Sequence, residues 1–366
     1  MSPTGTWPAY DVAIVGAGPA GATLARMIGT TYRVLLVEKR PLTAPPEDAP
    51  VTKCCGGLLA PDAQRTLSEM GLGLPKEVLV GPQLFVVRAI DLQRGLERYY
   101  QRHYINLDRE RFDRWLVSLV PDSVELRMSC LFVAYEKYAG GFALHLRQGD
   151  RQRIEHAILL IGADGASSAV RKQASPTGRS PRKYIGIQEW FEVDASLPYF
   201  SALFDPEITD FYCWTIPKEG HLIVGAALSP MEDAAAKFRE FKEKLGHHGF
   251  KLGRSVKKEA SSLVRPMTTG QLCPSAEGVP FLGEAGGWIS ASSAEGISFA
   301  FRSALLMGDV LKHGLENAAK RYVQATGGLR RVIWLKAAKA RMLYNPRVRS
   351  FLMGTGIRSI SVRGEA

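Results

Sequence analysis

The order of apolar and polar residues along the chain predicts a mixed α/β architecture. Apolar runs at residues 12–15 and 33–37 read as buried strands, and they flank a helix-compatible stretch at 20–28. A further buried strand is predicted at 158–161, where it breaks into a turn and a helix start. Between about 178 and 275 the alternation of apolar and polar positions is typical of an antiparallel sheet.

This order predicts two domains, the second inserted into the first. At 366 residues the chain exceeds the usual size of one hydrophobic core. We assign residues 1–75, 105–177 and 276–315 to a Rossmann-like α/β domain, and residues 76–104 and 178–275 to an inserted antiparallel β-sheet domain that binds substrate. Residues 316–366 are predicted to form a basic, helical C-terminal segment.

The first strand runs into a glycine motif, GxGxxG. Gly16 allows a tight turn, Gly18 lets the backbone approach a pyrophosphate, and Gly21 lets helix and strand pack closely. Glu38, at the end of the second strand, can accept hydrogen bonds from an adenosine ribose. The unit therefore predicts a dinucleotide site and leaves NAD and FAD open. Three further residues of this unit are predicted to contact the cofactor: Pro19, Ala20 and Lys39.

The five cysteines carry no metal or disulfide signal. Cys54 and Cys55 are adjacent and precede Gly56 and Gly57 in a proline-rich loop at 41–62, and the other three are dispersed. The N-terminus lacks a signal-peptide pattern, and no apolar run approaches the length that spans a bilayer. We therefore expect a reduced, cytoplasmic setting and no metal site.

The positive charge is concentrated near the C-terminus. The formal net charge is +11, and residues 312–363 hold twelve Lys or Arg against one acid, Glu316. Such a segment docks on anionic lipid or nucleic acid, or forms a solvated helix face. Trp334, Tyr344 and Phe351 lie among these charges and favour a membrane surface. We expect peripheral membrane contact here and no nucleic-acid partner.

Three separated segments resemble the FAD fingerprints of the flavoprotein group that includes p-hydroxybenzoate hydroxylase. They are the glycine motif with Glu38, "GADGASSAVR" at 162–171, and the stretch from "LGEAGG" to "AEGISFA" at 282–300. The resemblance implies that Asp164 and Gly165 order the turn beneath the pyrophosphate. It also implies that the third segment reaches the ribitol and flavin through Gly283, Glu284, Gly296 and Ile297. The group usually has Gly-Asp where this chain has Gly283-Glu284.

Two shorter motifs resemble the geranylgeranyl reductase family. "KCCGG" at 53–57 resembles its lysine, cysteine, double-glycine loop, and "YCWTIP" at 212–217 resembles its Tyr-x-Trp-x-Phe-Pro signature, with Ile216 in place of Phe. The resemblance implies that Cys55 lies beside the flavin ring, with Cys54 as its neighbour. A thiol there relays a proton, or both cysteines merely pack as small apolar residues. Tyr212 and Trp214 wall an apolar pocket or are ordinary core aromatics.

Arg109 has two interpretations. It stands where the wider flavoprotein group often has an arginine that contacts the cofactor. The competing interpretation is a plain surface salt bridge.

The family resemblance implies an FAD-dependent oxidoreductase that reduces carbon–carbon double bonds of a polyprenyl or other lipophilic substrate. The electron donor, NAD(P)H, ferredoxin or a quinone, stays open. A flavin hydroxylase or halogenase is the enzymatic alternative, because "WTIP" is also similar to the Trp-x-Ile-Pro of flavin halogenases; those enzymes carry an earlier Trp where this chain has Tyr212. A flavin- or lipid-binding protein without turnover is the third alternative.

Overall fold

The computed structural model describes residues 9–45, 53–178, 180–195 and 197–362, and it has the α/β fold class that the sequence predicts. Within these ranges the strands are β1 Tyr10–Val15, β2 Val34–Val37, β3 Leu58–Leu59, β4 Leu84–Asp91, β5 Leu96–Asn106, β6 Glu125–Arg127, β7 Leu131–Tyr138, β8 Gly141–Gln148, β9 Arg151–Gly162, β10 Arg182–Glu192, β11 Phe200–Phe204, β12 Cys213–Lys218, β13 His221–Leu228, β14 Ser255–Arg265, β15 Ser275–Ala276 and β16 Val279–Pro280. The helices are α1 Pro19–Ile28, α2 Pro61–Glu69, α3 Arg109–Ser118, α4 Ala169–Ala174, α5 Ala234–His247, α6 Ile297–Leu311, α7 Ala318–Ala325, α8 Gly327–Leu343 and α9 Pro346–Thr355.

The chain packs as two units. The first unit consists of Met1–Val51, Glu110–Arg182 and Val264–Leu335, and the second of Thr52–Arg109, Lys183–Leu263 and Lys336–Ala366. These are packing units, and the domain boundaries drawn from the sequence stay predictions.

The first unit contains a six-stranded sheet in the order β6-β2-β1-β9-β8-β7. β1 is parallel to both β2 and β9, and it lies between them. Their registers pair Val15 with Val37 and with Gly162, so the three strands end at the same edge of the sheet. In an open parallel sheet this carboxyl edge is where ligands bind, because the loops there diverge from a common row of strand ends.

The core of the first unit explains why these short runs form central strands. β1 and β2 are buried along almost their whole length, which suits strands covered on both faces. α1 packs against α6, and the Met27 side chain meets the helix at Gly308, where a Cβ would stand 2.3 Å from the methionine methyl group. Glycine at this position therefore allows the two helices to approach closely.

The second unit contains an eight-stranded sheet in the order β14-β10-β13-β12-β11-β4-β5-β3. β11 and β4 are parallel, whereas β10, β12 and β13 form antiparallel pairs. One face is covered by α5, whose Phe238, Phe241 and Leu245 are fully buried against the sheet. Most of this sheet is therefore antiparallel, as predicted.

Some predicted local details differ. The spacing of Tyr212 and Trp214 predicts that both lie on one strand, but Tyr212 precedes β12. The sequence also predicts a helix near 231–246, whereas α5 begins at Ala234. Asp233 explains the second difference, since its carboxylate accepts from the amides of Ala235 and Ala236 and so fixes the first turn. No helix in the described part of the chain is long and apolar enough to cross a membrane.

Candidate functional site

In the turn between β1 and α1, two of the motif's three glycines are required by the packing of the fold. Gly16 has a φ of +104°, and a Cβ there would lie 2.4 Å from the carbonyl oxygen of Ala163. A Cβ on Gly21 would lie 1.8 Å from the carbonyl oxygen of Gly16. Both glycines are thus needed for the close packing of strand, turn and helix, as the motif predicts.

Gly18 is different, because a Cβ there would meet no described atom within 4 Å. It is the N-cap of α1, which begins with Pro19 and has no side-chain cap among the described residues. Pro19 and Ala20 are nevertheless buried. The open space in front of a helix N-terminus fits an anionic group such as a pyrophosphate, which the free end of the helix dipole attracts.

The three fingerprint segments meet at this edge of the first unit's sheet. The amide of Ala163 donates to the carbonyl of Val15 at 2.8 Å, and the amide of Leu282 donates to the carbonyl of Gly162 at 2.8 Å. Gly283, with a φ of +54°, lies next to α1, since its Cβ would stand 3.4 Å from that of Ala20. The structure therefore brings together part of each of the three segments that the sequence assigned to the cofactor. We call this group, residues 16–21, 38–40, 162–165 and 281–284, the strand-end site.

Glu38 lies in the strand-end site with its carboxylate already engaged. It is 5% exposed, and its oxygens accept from the amide of Ala17 at 2.9 Å and from the amide, Nε and Nη2 of Arg40 at 3.0 to 3.1 Å. Arg40 also donates to the buried Asp113 at 2.7 Å. Burial on its own raises the pKa of Glu38, but Arg40 and the amides hold it below its ordinary value. The carboxylate is therefore charged at neutral pH.

Arg40 and Asp113 are residues that sequence reasoning missed. The one available signal is the cation two residues after Glu38 in "EKR", and nothing local indicates that Asp113 of α3 completes the network. The predicted ribose contact of Glu38 stays a prediction. Lys39, assigned to the cofactor from the sequence, is exposed.

Asp164 orders the turn that follows β9. Its carboxylate accepts from the hydroxyl of Ser168 at 2.5 Å and from the amides of Ala169 and Val170 at 2.7 and 3.2 Å. Burial raises the pKa of Asp164 despite these hydrogen bonds. Gly165 has a φ of +79°, which suits glycine and allows the turn. The geometry agrees with an ordering role for this pair.

The third segment forms a 3₁₀ turn, Gly283–Gly286, followed by α6. The amide of Gly283 donates to the buried hydroxyl of Ser303 at 2.9 Å, and Glu284 is partly buried in the same turn. Gly296 is the N-cap of α6 and Ile297 its first residue. The serines of "SSAEGIS" at 292–298 predict a serine cap for this helix. That prediction is wrong, since Glu295 accepts from the amide and hydroxyl of Ser298 at 2.8 and 2.7 Å. A carboxylate therefore offsets part of the positive potential at this helix end.

In the second unit, the loop at residues 53–57, here called the cysteine loop, holds Cys55 against a cation. The Sγ of Cys55 accepts from the Nη1 of Arg109 at 3.4 Å and from the amide of Gly57 at 3.5 Å. Burial on its own raises the pKa of this thiol, but Arg109, the Gly57 amide and Lys53 bring the pKa below its ordinary value. Arg109 thus contacts the cysteine loop, and its predicted cofactor contact stays a prediction.

Cys54 has the opposite environment. Its Sγ donates to the carbonyl of Gly186 at 3.6 Å, and its own carbonyl accepts from the hydroxyl of Ser261 at 3.5 Å. Burial raises the pKa of Cys54 to about 12. It therefore remains a protonated thiol that anchors the loop to the sheet.

A buried lysine, also missed from the sequence, supports the cysteine loop. Lys218 is 4% exposed, and its Nζ donates to Asn106 Oδ1 at 2.8 Å and to the carbonyl of Leu107 at 2.6 Å. Burial lowers the pKa of Lys218 to about 8, and the nearby Cys55 counteracts part of this shift. A Cβ on Gly57 would lie 2.6 Å from Nζ, so only glycine fits there. "YCWTIPK" contains this lysine, but its burial depends on Asn106, more than a hundred residues away.

The aromatic residues of the second motif lie side by side. The rings of Tyr212 and Trp214 have centroids 5.5 Å apart, so the two side chains contact each other. Burial raises the pKa of Tyr212, so its hydroxyl stays protonated. Trp214 is 9% exposed, and its Nε1 has no partner among the described residues.

Ile216, where the reductase family has Phe, contacts the cysteine loop directly. A Cβ on Gly56 would lie 2.4 Å from the Cδ1 of Ile216. The loop glycine and the strand residue therefore fit one another, and a branched aliphatic side chain fills the space in front of Gly56.

The fold resembles those of solved proteins that include a reductase-like protein, a monooxygenase and a flavin-dependent halogenase. The structure superimposes with a TM-score of 0.80 on a geranylgeranyl bacteriochlorophyll reductase-like protein from Thermoplasma acidophilum, at 20% identity, covering 98% of this chain and 94% of that one. For p-nitrophenol 4-monooxygenase PnpA from Pseudomonas putida DLL-E4 the TM-score is 0.73 at 15% identity, covering 96% and 94%. For the flavin-dependent halogenase CmlS it is 0.70 at 15% identity, covering 91% and 64%.

Sequence similarity gives the family. The chain is 39% identical over 351 residues to protein CbrA of Escherichia coli O9:H4 (strain HS), which covers 96% of this chain and 94% of that protein. It is 38% identical to protein CbrA of Shigella sonnei (strain Ss046), covering 96% and 98%. The chain therefore belongs to the CbrA family. No protein-family model matches it.

Proposed function

We propose that this protein is an FAD-dependent oxidoreductase that reduces carbon–carbon double bonds of a polyprenyl or other lipophilic substrate. The observation that supports this best is the thiol of Cys55, held with a lowered pKa by Arg109 in a loop whose glycine packs on the aromatic motif strand. The structural similarity to a geranylgeranyl bacteriochlorophyll reductase-like protein supports the same reaction class.

The strand-end site fits FAD by its own geometry. Gly18 leaves open space at the N-terminus of α1, where the pyrophosphate would lie, and Asp164 orders the adjoining turn. Gly283 would contact the ribitol of the cofactor. Reduced FAD, when bound, supplies a hydride to the alkene.

Reduction of an alkene also requires a proton at the neighbouring carbon, and in this proposal Cys55 donates it. The Sγ–H bond breaks and a new C–H bond forms, which leaves a thiolate. Arg109 stabilises that thiolate at 3.4 Å, and the same contact brings the pKa of Cys55 closer to neutrality, where general acids are most effective. Solvent then restores the proton. Tyr212 and Trp214 supply an apolar face for the isoprenoid chain.

An anaerobic single-turnover experiment tests this function. Holoprotein reduced with dithionite is mixed with geranylgeraniol in D₂O, and flavin reoxidation is followed together with the mass of the product. We expect two solvent deuterons for each saturated bond, because the N5 hydrogen of reduced flavin exchanges with solvent, as the Cys55 thiol hydrogen does. Cys55→Ser should keep bound flavin and lose turnover, whereas the matched variant Cys54→Ser should keep both. Equal turnover in Cys55→Ser and wild type would eliminate the proton role.

A flavin monooxygenase or halogenase is the second candidate, and the similarity of fold to PnpA and CmlS supports it. Oxygen dependence separates the two functions. An alkene reductase turns over without O₂, whereas a hydroxylase or halogenase consumes it. A holoprotein that none of NAD(P)H, ferredoxin and a reduced quinone can reduce would instead support a flavin- or lipid-binding role without turnover.

A further inference from the structure

The C-terminal part of the second unit combines positive charge with exposed apolar side chains. No Asp or Glu occurs between residues 317 and 362. Five large apolar side chains of this part are exposed: Met342, Phe351, Leu352, Ile357 and Ile360, with Phe351 71% and Ile357 67% accessible. Single exposed apolar residues are common on protein surfaces, but several of them beside positive charges are typical of a surface that meets a membrane interface.

This part of the chain is firmly held. The Nε of Arg349 donates to Asp91 Oδ2 at 2.9 Å, and both side chains are almost fully buried. The guanidinium also lies 5.0 Å from the ring centroid of Phe204. Since breaking such a buried ion pair is costly, α9 is fixed to the sheet through β4.

A second attachment lies after the helix. α9 ends at Gly356, whose φ of +64° closes the helix in the left-handed conformation. The amide of Ile360 then donates to the carbonyl of Tyr99 in β5 at 2.9 Å. Phe351 and Ile357 therefore project from a segment anchored on both sides of them.

The helical geometry places Phe351 opposite the anchoring face. Arg349 and Met353 are buried, and each is two residues from Phe351, about 160° to 200° around the helix. Arg347 lies one turn before Phe351 and is exposed, and Arg358 is exposed in the turn that follows α9. The outward face thus carries apolar side chains next to two exposed arginines.

We propose that α9 and the following turn dock this protein on an anionic lipid bilayer. Phe351 and Ile357 enter the interfacial region, while Arg347 and Arg358 contact lipid phosphates. Nucleic acid would need the positive charges alone, so the exposed apolar residues favour lipid. This surface is independent of the proposed enzymatic function.

Vesicle flotation with the full-length protein tests this proposal. The probes are vesicles of phosphatidylcholine alone and of phosphatidylcholine mixed with phosphatidylglycerol. We expect binding only to the anionic vesicles, weakened by salt. Phe351→Ser with Ile357→Ser should lower the partition coefficient about tenfold or more. Arg347→Ser and Arg358→Ser should each lower it about fivefold.

Met231→Ser is the matched control. Met231 is 90% exposed, but it precedes Glu232 and Asp233. This variant should bind like wild type, and circular dichroism should show that all variants are folded. Three results would overturn the proposal. The wild-type protein could fail to float with anionic vesicles, or the Phe351→Ser, Ile357→Ser double variant could float as well as wild type. The third result is that vesicle binding is absent and that the double variant abolishes either self-association or RNA binding.

Discussion

Removal of Arg109 should raise the pKa of Cys55 and slow its reaction as a thiolate. The Nη1 to Sγ distance is 3.4 Å. Coulomb's law at this distance gives about 1 kcal/mol at a dielectric constant of 80 and about 5 kcal/mol at 20. These energies correspond to roughly one to three and a half pKa units. Because Cys55 is only partly buried and the Gly57 amide remains, Arg109→Gln should raise the pKa by about one unit or somewhat more.

The assay is the pH dependence of iodoacetamide alkylation, located at Cys55 by peptide mass spectrometry. A Cys54→Ala background removes the adjacent thiol. The comparison variant is Lys53→Gln, whose weaker influence on Cys55 predicts a smaller shift in the same direction. An alkylation midpoint that stays within a few tenths of a pH unit in Arg109→Gln would refute the electrostatic reasoning.

Three other predictions concern cofactor binding and stability. Gly18→Ala should leave the thermal midpoint of the apoprotein unchanged and weaken FAD binding in a fluorescence titration. Gly21→Ala should instead lower the free energy of unfolding by roughly 3 kcal/mol, because its Cβ would meet the carbonyl oxygen of Gly16. Glu38→Gln should lower the free energy of unfolding by about 1 to 3 kcal/mol at pH 7. Because the pKa of Glu38 is depressed in the folded protein, denaturant titrations should show the difference between wild type and variant shrinking as pH falls below about 4. The folded pKa of Lys218 is about 8, so between about pH 8 and 10.4 the unfolded chain binds more protons than the folded protein. The free energy of unfolding therefore contains a contribution from Lys218 that rises with pH across this range. Lys218→Met should abolish that contribution.

The strand-end site could be predicted because its signals are local. Gly21 is required by a contact within one strand, turn and helix, and Gly16 by its φ of +104° in the same turn. Asp164 accepts from the first amides of the helix that follows it. Parallel pairing of the strands then brings these separate turns to one edge of the sheet. Each segment could therefore be placed from its own residues, together with the handedness and order typical of such sheets.

The charge networks could not be predicted, because their partners are distant in sequence. Arg40 depends on Asp113 of α3, and Lys218 depends on Asn106 at the end of β5. The prediction of a serine cap for α6 was wrong for a different reason. Several polar residues precede this helix, and the side chain of any of them could accept from its first amides. Only the backbone geometry selects Glu295.

The two adjacent cysteines show how far neighbours in sequence can differ in chemistry. Successive side chains of an extended loop point in opposite directions, so Cys54 meets the carbonyl of Gly186 and Cys55 meets Arg109. Burial raises the pKa of the Cys54 thiol, whereas the Arg109 guanidinium stabilises the Cys55 thiolate against the same effect, which explains why the two pKa values move apart. Cys54 is thereby suited to fix the loop and Cys55 to release a proton. Because both side chains are thiols, their surroundings alone determine these different roles.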